Sequence, residues 1–519
     1  MNVSVQFLAD KIKKMEADMR YGLQIGLKFD QGGKPLYYPG NTVIADVEKD
    51  NPAYDVIHQV HVMLDCEKLA KFFIFLPEDS YHMTVIRGMN DKVREDGFWP
   101  PLLDRKDSMK LVDQYFEDRV KQVPVPEEIH MCFDHLSIDD HDVRVCLKPS
   151  DEKEDQKLRA YRDAVADALG FRLPGHEEYT YHITVAYMQY IPEQEEKKLV
   201  KEKVRLADQF LKEQPEFYLS APKASFYNDM LNFYPYRIER KPEIKAILLD
   251  FDGTTLQKDQ VFISMRNMYA IRKALDKGIQ IIPSTGRSED MQPPQIEADE
   301  RIHYYITSAG TRVVDHNTGE IIHQEILSPE DGAAMCQVFE GKNIYTEIAA
   351  NGKIYMEKSI DDHLERYPVP PHHVWFFEEK REIAVEKPSE YFLEHGIGVE
   401  KVNMYGIPKE LQQKIYDEVE NSGIAHITDP VGENMQFFPK GLDRTRGIRK
   451  LLEKLNLTME QVMSIGDSVL DADAIKASGV GIAMGNAPEW LKEEADFVTA
   501  PFDKDGVAIA IEKYILNKQ

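Results

Sequence analysis

Cysteine is scarce in this sequence. The 519 residues include four cysteines, Cys66, Cys132, Cys146 and Cys336, which form no C-x-x-C pair and have no histidine at metal-binding spacing. Cysteines so few and so scattered argue against a disulfide framework and against a structural zinc site, both of which need closely spaced ligands. We therefore expect a protein of a reducing compartment.

Long apolar runs are also missing. No stretch approaches the roughly 18 consecutive apolar residues that span a bilayer. The first residues, MNVSVQFLADKIKKMEADMR, mix charges and lack the basic-then-apolar order of a secretory signal. The sequence predicts a cytoplasmic protein with a mature start and without a membrane segment.

Basic residues are outnumbered. There are 64 lysines and arginines against 90 aspartates and glutamates, which gives a net charge of −26. A field of this sign repels long polyanions, so binding of duplex nucleic acid is not expected. A local basic pocket for a small phosphorylated substrate, or for a single nucleic-acid end, remains compatible with this charge. The composition says nothing about the oligomeric state.

The length predicts two domains or more, because one hydrophobic core stops growing below this size. The first part has an α+β pattern, with strand-like VIHQVHVML (56–64) and KFFIFL (71–76), and with helices over 151–170 and about 193–214. Around YRIERKPEIK (236–245) the chain becomes polar, meets a proline and then enters an apolar strand. We place the boundary there and expect a first domain over 1–240.

After the boundary, strands and helices alternate regularly. AILLDF (246–251), a helix in 262–278 and IQIIPSTG (279–286) are followed near the end by a helix over 445–455 and by the strands VMSIGD (462–467) and GVGIAMG (479–485). Such alternation is typical of βαβ units and of a parallel, doubly wound sheet. We interpret the segment between these blocks as an inserted cap, with the core at 244–327 and 429–519 and the cap at 328–428.

Two aspartates close the first strand of this half. In LLDFDGTTL (248–256), Asp250 and Asp252 stand at i and i+2, so both side chains share one face at the strand end, where α/β folds bind ligands. Carboxylates so close repel each other unless a cation holds them, which favours a divalent metal. For an isolated D-x-D, a polar turn after a strand is the alternative interpretation.

Three more segments strengthen the metal interpretation. They are PSTGR (283–287), FFPKGLDRTRG (437–447) and SIGDSVLDADAIKASGVGIAMGNA (464–487). In this order the four segments resemble the motifs of the haloacid dehalogenase (HAD) superfamily of phosphatases, and closely those of its Cof-like and sucrose-phosphatase-like members. The resemblance covers about 244–519 and implies a doubly wound, Rossmann-like α/β core with an α/β cap that selects the leaving group.

The resemblance implies a role for each matching residue. Asp250 is expected to be the nucleophile, and Asp252 the general acid and base. Mg²⁺ is expected on Asp250, Asp467 and the Asp252 carbonyl, with Asp471 as the second carboxylate that orients the metal site. The implied substrate-binding residues are Thr285, Gly286, Arg287, Lys440 and Arg444.

Two positions depart from the family pattern. The family has lysine where this sequence has Arg444, so that either Arg444 or the nearby Lys440 stabilises the developing charge; we favour Arg444. In the family's G-D-x-x-N-D motif, Leu470 replaces the asparagine, which removes a polar group beside the metal ligands but no ligand.

A five-letter word occurs twice in the first half, as YHMTV at 81–85 and as YHITV at 181–185. A lone histidine in a strand is usually structural, and we expect that role for the histidines outside these words. In a strand, His82 and Thr84 project to one face, as do His182 and Thr184. If the two strands are mates, two imidazoles and two hydroxyls meet in one cleft. One imidazole can then act as base and the other as acid, while the threonines hold phosphate oxygens.

This arrangement resembles the 2H phosphoesterase superfamily, named for its two H-x-T motifs, whose members act on cyclic phosphates and related diesters. The leading YYPGNTVI (37–44) resembles a bacterial branch of it. The likeness covers roughly 20–236 and implies a two-lobed α+β domain with His82, Thr84, His182 and Thr184 as catalytic residues and without a metal cofactor.

Together the two halves predict a bifunctional phosphoesterase, a phosphodiesterase plus a phosphatase. The first half is expected to open a cyclic phosphodiester, such as a 2′,3′-cyclic nucleotide, an RNA end or an ADP-ribose cyclic phosphate, and the second to hydrolyse the resulting monoester with Mg²⁺. One alternative is a sugar- or nucleotide-phosphate phosphatase whose first half is a nucleotide-binding regulatory module. Another is a nucleotide sensor in which neither half turns over.

Overall fold

The structure, a computed structural model, describes residues 20–370, 373–427 and 434–516. They form two compact units: one holds the residues before Pro242 except 106–108, and the other holds 106–108 and the residues from Pro242 onward. Residues 1–19, most of the predicted mature start, and the predicted change from cap to core at 428–429 lie outside the described residues. Within the described ranges, no helix is long and apolar enough to cross a membrane.

The first unit is built on one antiparallel sheet. Its strands are β1 (Gly40–Asp46), β2 (Phe73–Phe75), β3 (His82–Asn90), β4 (Glu128–Ile138), β5 (Asp142–Pro149), β6 (His182–Met188), β7 (Phe217–Ser220) and β8 (Lys223–Tyr227). They lie in the order β7-β4-β5-β6-β3-β1-β8, and β2 pairs with β6. The helices of this unit are α1 (Pro52–Leu64), α2 (Met109–Val120), α3 (Glu152–Leu169) and α4 (Gln194–Lys212).

The middle of the sheet joins its two lobes. Strands β3 and β6 meet there in an antiparallel bridge between Met83 and Ile183. Both side chains are fully buried, as expected for residues that alternate with the polar positions of each H-x-T word. The two repeated words therefore begin adjacent strands.

The strand predicted over 56–64 is wrong, because this segment belongs to helix α1. The buried residues of α1 are Ala53, Ile57, Val60 and Leu64, which repeat with the period of a helix. Asn51 caps the helix by accepting a hydrogen bond from the Ala53 backbone N–H, and Pro52 occupies the first turn. The β-branched residues of VIHQVHVML suggested a strand, but the cap and the helical period decide the local structure.

The helices predicted over 151–170 and about 193–214 are confirmed as α3 and α4. The Asp151 carboxylate caps α3 by accepting from the Glu154 N–H, and Gly170 ends it with φ 71°. This left-handed conformation favours glycine, which explains why the sequence signal for the helix end was reliable.

The second unit alternates strands and helices over most of its length. Its strands are β9 (Ala246–Leu249), β10 (Gln280–Pro283), β11 (Tyr304–Thr307), β12 (Arg312–Asp315), β13 (Glu320–Gln324), β14 (Tyr345–Ala350), β15 (Lys353–Glu357), β16 (Ile383–Val385), β17 (Lys401–Tyr405), β18 (Ala425–Ile427), β19 (Met435–Pro439), β20 (Val462–Gly466), β21 (Val480–Ala483) and β22 (Phe497–Val498). Its helices are α5 (Met265–Asp276), α6 (Pro294–Glu297), α7 (Pro329–Cys336), α8 (Lys358–Asp361), α9 (Val374–Glu378), α10 (Pro388–His395), α11 (Lys409–Ser422), α12 (Arg444–Leu455), α13 (Ala472–Ala477), α14 (Glu489–Glu494) and α15 (Gly506–Tyr514).

The core of this unit is a parallel sheet in the order β10-β9-β20-β21-β22. Strands β9 and β21 are buried at every position, as expected when helices cover both faces of a sheet. Strands β9 and β20 are neighbours, so the polar residues that follow them lie at one edge of the sheet. A small antiparallel sheet, β11-β12-β13, accompanies the core.

A second sheet, of mixed direction, has the order β16-β15-β14-β17-β19-β18 and its own apolar core. We call the residues of this sheet and its helices the cap. Strand β19 follows the predicted end of the cap at residue 428, yet it pairs with β17 and β18. The apolar MQFFP leads directly into the KGLDR motif, so the sequence assigned it to the core, whereas its backbone pairing joins it to the cap.

A buried ion pair ties the end of the first unit to its helix α2 and strand β1. The Arg240 Nε donates to Asp113 Oδ2 at 2.8 Å, and the two side chains are 3% and 2% exposed. Asp113 Oδ1 accepts from Asn41 Nδ2 at 3.0 Å, and the Arg240 guanidinium also donates to the Gly40 carbonyl at 3.2 Å. Removing one partner would leave the other charge buried and uncompensated.

We predict that Asp113→Ala lowers the free energy of unfolding of the first unit by about 3–5 kcal/mol. Asp118→Ala, an exposed change on the same helix, is expected to stay within about 0.5 kcal/mol. Hydrogen exchange of the full chain, which reports on each unit separately, measures both values. Equal effects of the two substitutions would contradict the role given to the ion pair.

Candidate active sites

The two H-x-T words line one cleft of the first unit. His82, Thr84, His182 and Thr184 are half-buried and border the same cavity of about 320 Å³. Because β3 and β6 run antiparallel through the Met83–Ile183 bridge, each histidine faces toward the threonine of the other word. The geometry brings the four predicted catalytic side chains of this half together.

Both imidazoles are held in the same way. His82 Nδ1 lies 2.7 Å from the Ser80 carbonyl, and His182 Nδ1 lies 3.1 Å from the Thr180 carbonyl. A carbonyl can only accept, so each Nδ1 carries the proton and each Nε2 is left with a lone pair. Burial lowers the pKa of His82, and burial lowers that of His182 to about 4. Both rings are therefore neutral at pH 7 in the free protein.

Cations surround these neutral rings. Lys28, Arg87 and Arg144 all border the cleft. Arg144 is paired with Asp139 and Asp142, and Lys28 lies 4.7 Å from the centre of the Tyr187 ring. Arg87 is exposed, and its guanidinium makes no hydrogen bond or ion pair with another described residue. This cleft can bind an anion although the whole chain is acidic.

Aromatic rings form part of the same wall. Phe233 lies 4.2 Å from the His82 ring, centre to centre, and Tyr179 donates from its hydroxyl to the Thr84 carbonyl at 3.2 Å. Tyr234 and Tyr236, which follow Phe233 closely in the sequence, are exposed and do not border the cavity. The sequence alone does not show which of these three aromatic residues borders the cleft, because the local fold around Phe233 is not visible in it.

The remaining histidines of this unit have other partners. None of them borders the cleft, and each has a polar partner at 2.7–3.0 Å: Glu78 for His58, Tyr81 for His61, Glu216 for His130, Asp134 for His135, Gln24 for His141 and Asp163 for His176. Their contacts agree with the structural role expected for histidines outside an H-x-T word.

The second candidate site lies at the carboxyl ends of β9 and β20. Asp250, Asp467 and Asp471 each offer a carboxylate oxygen, and these oxygens lie within 4.8 Å of one another. Close packing makes this approach feasible: a Cβ on Gly253, which has φ 77°, would stand 2.3 Å from Asp467 Oδ2. A Cβ on Gly466 would stand 2.2 Å from Asp471 Cγ. Glycine is required at both positions.

Charge in this site is unbalanced. Burial, and then the nearby Asp471, Asp252 and Asp467, raise the pKa of Asp250 well above its usual range. Burial, and then Asp471, raise the pKa of Asp467 to about 6. Two buried carboxylates and one half-buried carboxylate, with oxygens close to one another, fit a hard divalent cation such as Mg²⁺, which would remove the repulsion.

Asp252 is set apart from this carboxylate group by Arg287. The guanidinium donates to both oxygens of Asp252, at 2.8 and 2.6 Å, and also to the Gln260 carbonyl. Arg287 was expected to bind substrate; here it forms a two-pronged ion pair that orients Asp252. Direct binding of substrate by Arg287 stays a prediction.

The other predicted substrate-binding residues divide into two groups. Thr285, Gly286 and Arg444 border one pocket together with Asp250 and Asp471, and burial lowers the pKa of Arg444. Lys440 is exposed in a turn after β19 and borders none of the pockets that contain these aspartates. This placement agrees with the preference for Arg444 over Lys440. Leu470, which replaces the family's asparagine, borders the same pocket.

Sequence reasoning missed Asn486. Its side-chain amide donates to Asp467 Oδ2 at 2.9 Å and to the Gly253 carbonyl at 2.8 Å, so it connects the ends of β9 and β20. Asn486 stands in the quoted segment SIGD…GNA, directly after the glycine that follows β21. Its position just after a core strand is the sequence signal for a residue of this site.

Sequence reasoning also missed the polar residues of the cap. Glu347, His373, Lys401, Asn403 and Tyr405 border a cavity of about 290 Å³ together with Asp250 and Asp252. These residues come from β14, β17 and the start of α9, and no motif joins them in the sequence. Only the folded cap brings them together.

Comparison with known proteins covers both halves. A family model described as haloacid dehalogenase-like hydrolase matches residues 247–511. A 2H-phosphodiesterase model, described as a domain of unknown function, matches residues 28–140, which include the first H-x-T word but not the second. The two predicted resemblances and the fold class are confirmed.

Several curated proteins resemble the second half. The chain is 28% identical over 277 residues to the Bacillus subtilis 5-amino-6-(5-phospho-D-ribitylamino)uracil phosphatase YcsE. The aligned region covers 53% of this chain and 97% of YcsE. The chain is 27% identical over 281 residues to the phosphatase YwpJ of the same organism, covering 51% and 98%. A solved haloacid dehalogenase-like hydrolase from Bacteroides thetaiotaomicron is 24% identical, covers 52% of this chain and 99% of its own, and has a TM-score of 0.45.

We predict that Asp467→Asn stabilises the second unit in a chelator and weakens its response to Mg²⁺. One repelling charge is removed, so the unfolding temperature in EDTA rises, by roughly 2–4 °C for each kcal/mol of repulsion. Mg²⁺ raises the unfolding temperature of the variant by less than that of the wild type, because the variant lacks one metal ligand. Calorimetry of the full chain measures both effects.

The control for this experiment is Glu493→Gln, an exposed charge removal in α14 of the same unit. It is expected to leave both the temperature in EDTA and the Mg²⁺ response unchanged. An Asp467→Asn protein that responds to Mg²⁺ as strongly as the wild type would exclude Asp467 as a ligand.

Proposed function

Because the chain belongs to the haloacid dehalogenase-like hydrolases and has a 2H-phosphodiesterase-like domain in its first half, we propose that it hydrolyses two phosphoesters in sequence. The second half is a phosphatase, a hydrolase of phosphoric esters. The finer proposal is that the first unit opens a cyclic phosphodiester and the second removes the phosphate that remains. The observation that carries it is the pair of identically held imidazoles facing one cationic cleft.

In the first reaction, water attacks the phosphorus of the cyclic diester. The Nε2 of one imidazole takes a proton from the water, and the other imidazole, protonated, gives a proton to the ring oxygen that leaves. One P–O bond to water forms and one ring P–O bond breaks. Thr84, Thr184 and Arg87 bind the non-bridging oxygens. The near-symmetry of the two words leaves the assignment of acid and base open.

In the second reaction, an Asp250 oxygen attacks phosphorus and the bond to the alcohol oxygen breaks. Asp252 protonates that oxygen and later takes a proton from the water that releases phosphate from Asp250. Arg287 donates to both oxygens of Asp252 and so orients the carboxyl group that exchanges these protons. Thr285 and Arg444 hold the phosphoryl oxygens.

Haloacid dehalogenase-like hydrolases typically use Mg²⁺, and Asp250, Asp467, Asp471 and the Asp252 carbonyl are the residues that would hold it here. When bound, this cation neutralises charge on the substrate phosphate and so lets an anionic nucleophile approach it. Asn486 keeps Asp467 in position through its amide. The cleft of the first unit presents imidazoles, hydroxyls and cations, and its proposed chemistry uses these groups alone.

We propose that the substrate is small and phosphorylated, with a nucleotide, an RNA end or a sugar phosphate as the leading classes. YcsE, by its name, acts on a phosphorylated ribitylamino-uracil. The cleft of the first unit combines arginines for phosphate with the exposed edge of aromatic residues for a base or sugar. We also propose residues 328–428, extended by β19, as the cap of the phosphatase.

We predict that the two activities separate. His82→Ala and His182→Ala should each lower kcat/KM for 2′,3′-cyclic AMP by at least about 100-fold. Neither substitution should change the release of phosphate from adenosine 2′- or 3′-phosphate. Asp250→Asn, or a chelator with the wild type, should abolish monoester hydrolysis and spare ring opening. Chromatography of the nucleotides together with a phosphate assay measures both reactions.

The matched control is His135→Ala, which removes a half-exposed histidine of the same sheet that does not border the cleft. Loss of both activities in a folded single variant would contradict independent sites. A wild type that binds cyclic nucleotides without opening them would instead make the first unit a nucleotide-binding regulatory module, and binding at both sites without turnover would make the chain a sensor.

We also predict that kcat/KM for the cyclic phosphate falls as pH rises from 5 to 8. The reaction needs one neutral and one protonated imidazole in the free enzyme, and burial lowers the pKa of both. Above those pKa values the singly protonated form decreases about tenfold for each pH unit. Initial rates at low substrate in EDTA give the profile, and a kcat/KM that rises over this range would contradict the proposed roles.

A further inference from the structure

The cap presents a polar face to the phosphatase site. Along β17, Lys401, Asn403 and Tyr405 alternate with the buried Val402 and Met404, so the three polar side chains share one face. With Glu347 of β14 they border the cavity that also contains Asp250 and Asp252. This face is where the alcohol part of a phosphomonoester would lie.

One oxygen of Glu347 is fixed and the other is unused. Its Oε1 accepts from the Tyr345 hydroxyl at 2.6 Å and from His373 Nδ1 at 2.7 Å. Its Oε2 is buried and has no hydrogen-bond partner among the described residues, which leave out Pro371 and His372. Glu347 is 1% exposed and the Asn403 side chain lies beside its carboxylate, so Oε2 is a buried acceptor that makes no hydrogen bond within the described part of the chain.

Asn403 repeats this pattern. Its Oδ1 is buried without a hydrogen-bond partner in the described part of the chain, and the residue is 7% exposed. Two buried acceptors that border one cavity are costly to leave unpaired, and a ligand that enters the cavity can supply the donors. Hydroxyl groups are the donors that a phosphorylated alcohol carries.

Lys401 completes the polar face at its other end. It is 4% exposed, and its ammonium group makes no hydrogen bond or ion pair with another residue that the structure describes. A Cβ built on Gly286 would lie 3.8 Å from Lys401 Nζ, which places this cation beside the turn that carries Thr285. Lys401 is thus at the phosphate end of the cavity.

We propose that the cap binds monoesters whose alcohol carries a free hydroxyl on the carbon next to the phosphorylated one. Glu347 Oε2 and Asn403 Oδ1 accept hydrogen bonds from this vicinal hydroxyl and its neighbours, and Lys401 contacts the phosphate. Tyr345 and His373 are positioning residues that hold the Glu347 carboxylate. This inference rests on the proposed function of the second unit.

Ring opening explains why such a hydroxyl would matter. When water opens a cyclic phosphate of a vicinal diol, the ring oxygen that leaves takes a proton and becomes a hydroxyl beside the new monoester. Every product of the first reaction therefore carries this group, whereas a simple alkyl phosphate does not. A cap that reads it would select the products of the first unit.

The test compares substrates that differ in this hydroxyl alone. For the wild-type full chain with Mg²⁺, we expect kcat/KM to be about 10- to 100-fold higher for adenosine 3′-phosphate than for its 2′-deoxy counterpart, and for 2-hydroxyethyl phosphate than for ethyl phosphate. The second pair contains no base, so base recognition cannot produce the difference. Equal kcat/KM within both pairs would overturn the proposal without any variant.

Variants assign the effect to residues. Glu347→Gln and Asn403→Leu should lower kcat/KM for the hydroxyl-bearing members and bring it near that of their partners, which stay unchanged. Lys401→Met should lower kcat/KM for both members of a pair equally, because both carry the phosphate. Glu410→Gln, an exposed change at the start of α11 in the same cap, should leave every ratio unchanged.

The outcomes also separate this inference from the proposed function. Discrimination by the phosphatase without ring opening by the first unit would support the hydroxyl pocket and end the sequential scheme. Ring opening by the first unit without discrimination by the phosphatase would support the sequential scheme and exclude the hydroxyl pocket. Release of phosphate from none of the four monoesters would overturn both the pocket and the second step. If Glu347→Gln does not fold, the kcat/KM ratios of the wild type and of Asn403→Leu within each substrate pair still test the hydroxyl pocket.

Discussion

Repulsion among buried carboxylates is the constraint around which the second unit is arranged. Asp250, Asp467 and Asp471 can approach one another only because Gly253, after β9, and Gly466, at the end of β20, leave room for their carboxylates. Asn486 holds Asp467, Ser468 donates to Asp471 at 3.0 Å through its backbone, and Arg287 takes Asp252 out of the group. These contacts reduce the repulsion without removing it, and the remaining repulsion is what a bound cation would offset.

The first unit solves a different electrostatic problem. The proposed reaction requires one of its two imidazoles to accept a proton, and burial in the cleft favours the neutral form by lowering the pKa of both rings. The carbonyls of Ser80 and Thr180 fix the tautomer, so each Nε2 faces the cavity as an acceptor. The cations stand around the rings, where they add to this effect and at the same time attract a phosphate.

The sequence predicted those parts of the fold and sites that rest on local rules. Strands β9, β20 and β21 follow from apolar runs, and the aspartates after β9 and β20 follow from the rule that ligands bind at the carboxyl ends of parallel strands. The repeated words predicted a shared face through the two-residue period of a strand. Helix α1 was missed because its β-branched residues suggest a strand, and β19 was assigned to the core because its pairing with β17 and β18 is not visible in the sequence. Glu347, Lys401 and Asn403 could not be found, since only tertiary packing makes their unused polar atoms visible.

The contrast between the two sites gives a physical reason for having two units. Carboxylates close to an imidazole raise its pKa, so the aspartate cluster needed for covalent phosphoryl transfer would keep His82 and His182 protonated and unable to act as a base. A cation paired directly with the oxygens of Asp250 or Asp467 would in turn compete with a metal ion for them, and Arg287 pairs instead with Asp252. A cyclic diester carries one negative charge, which arginines can bind, whereas a monoester carries up to two and must meet an anionic nucleophile. Each step therefore requires surroundings that would impair the other, and a chain that performs both has to keep them in separate clefts.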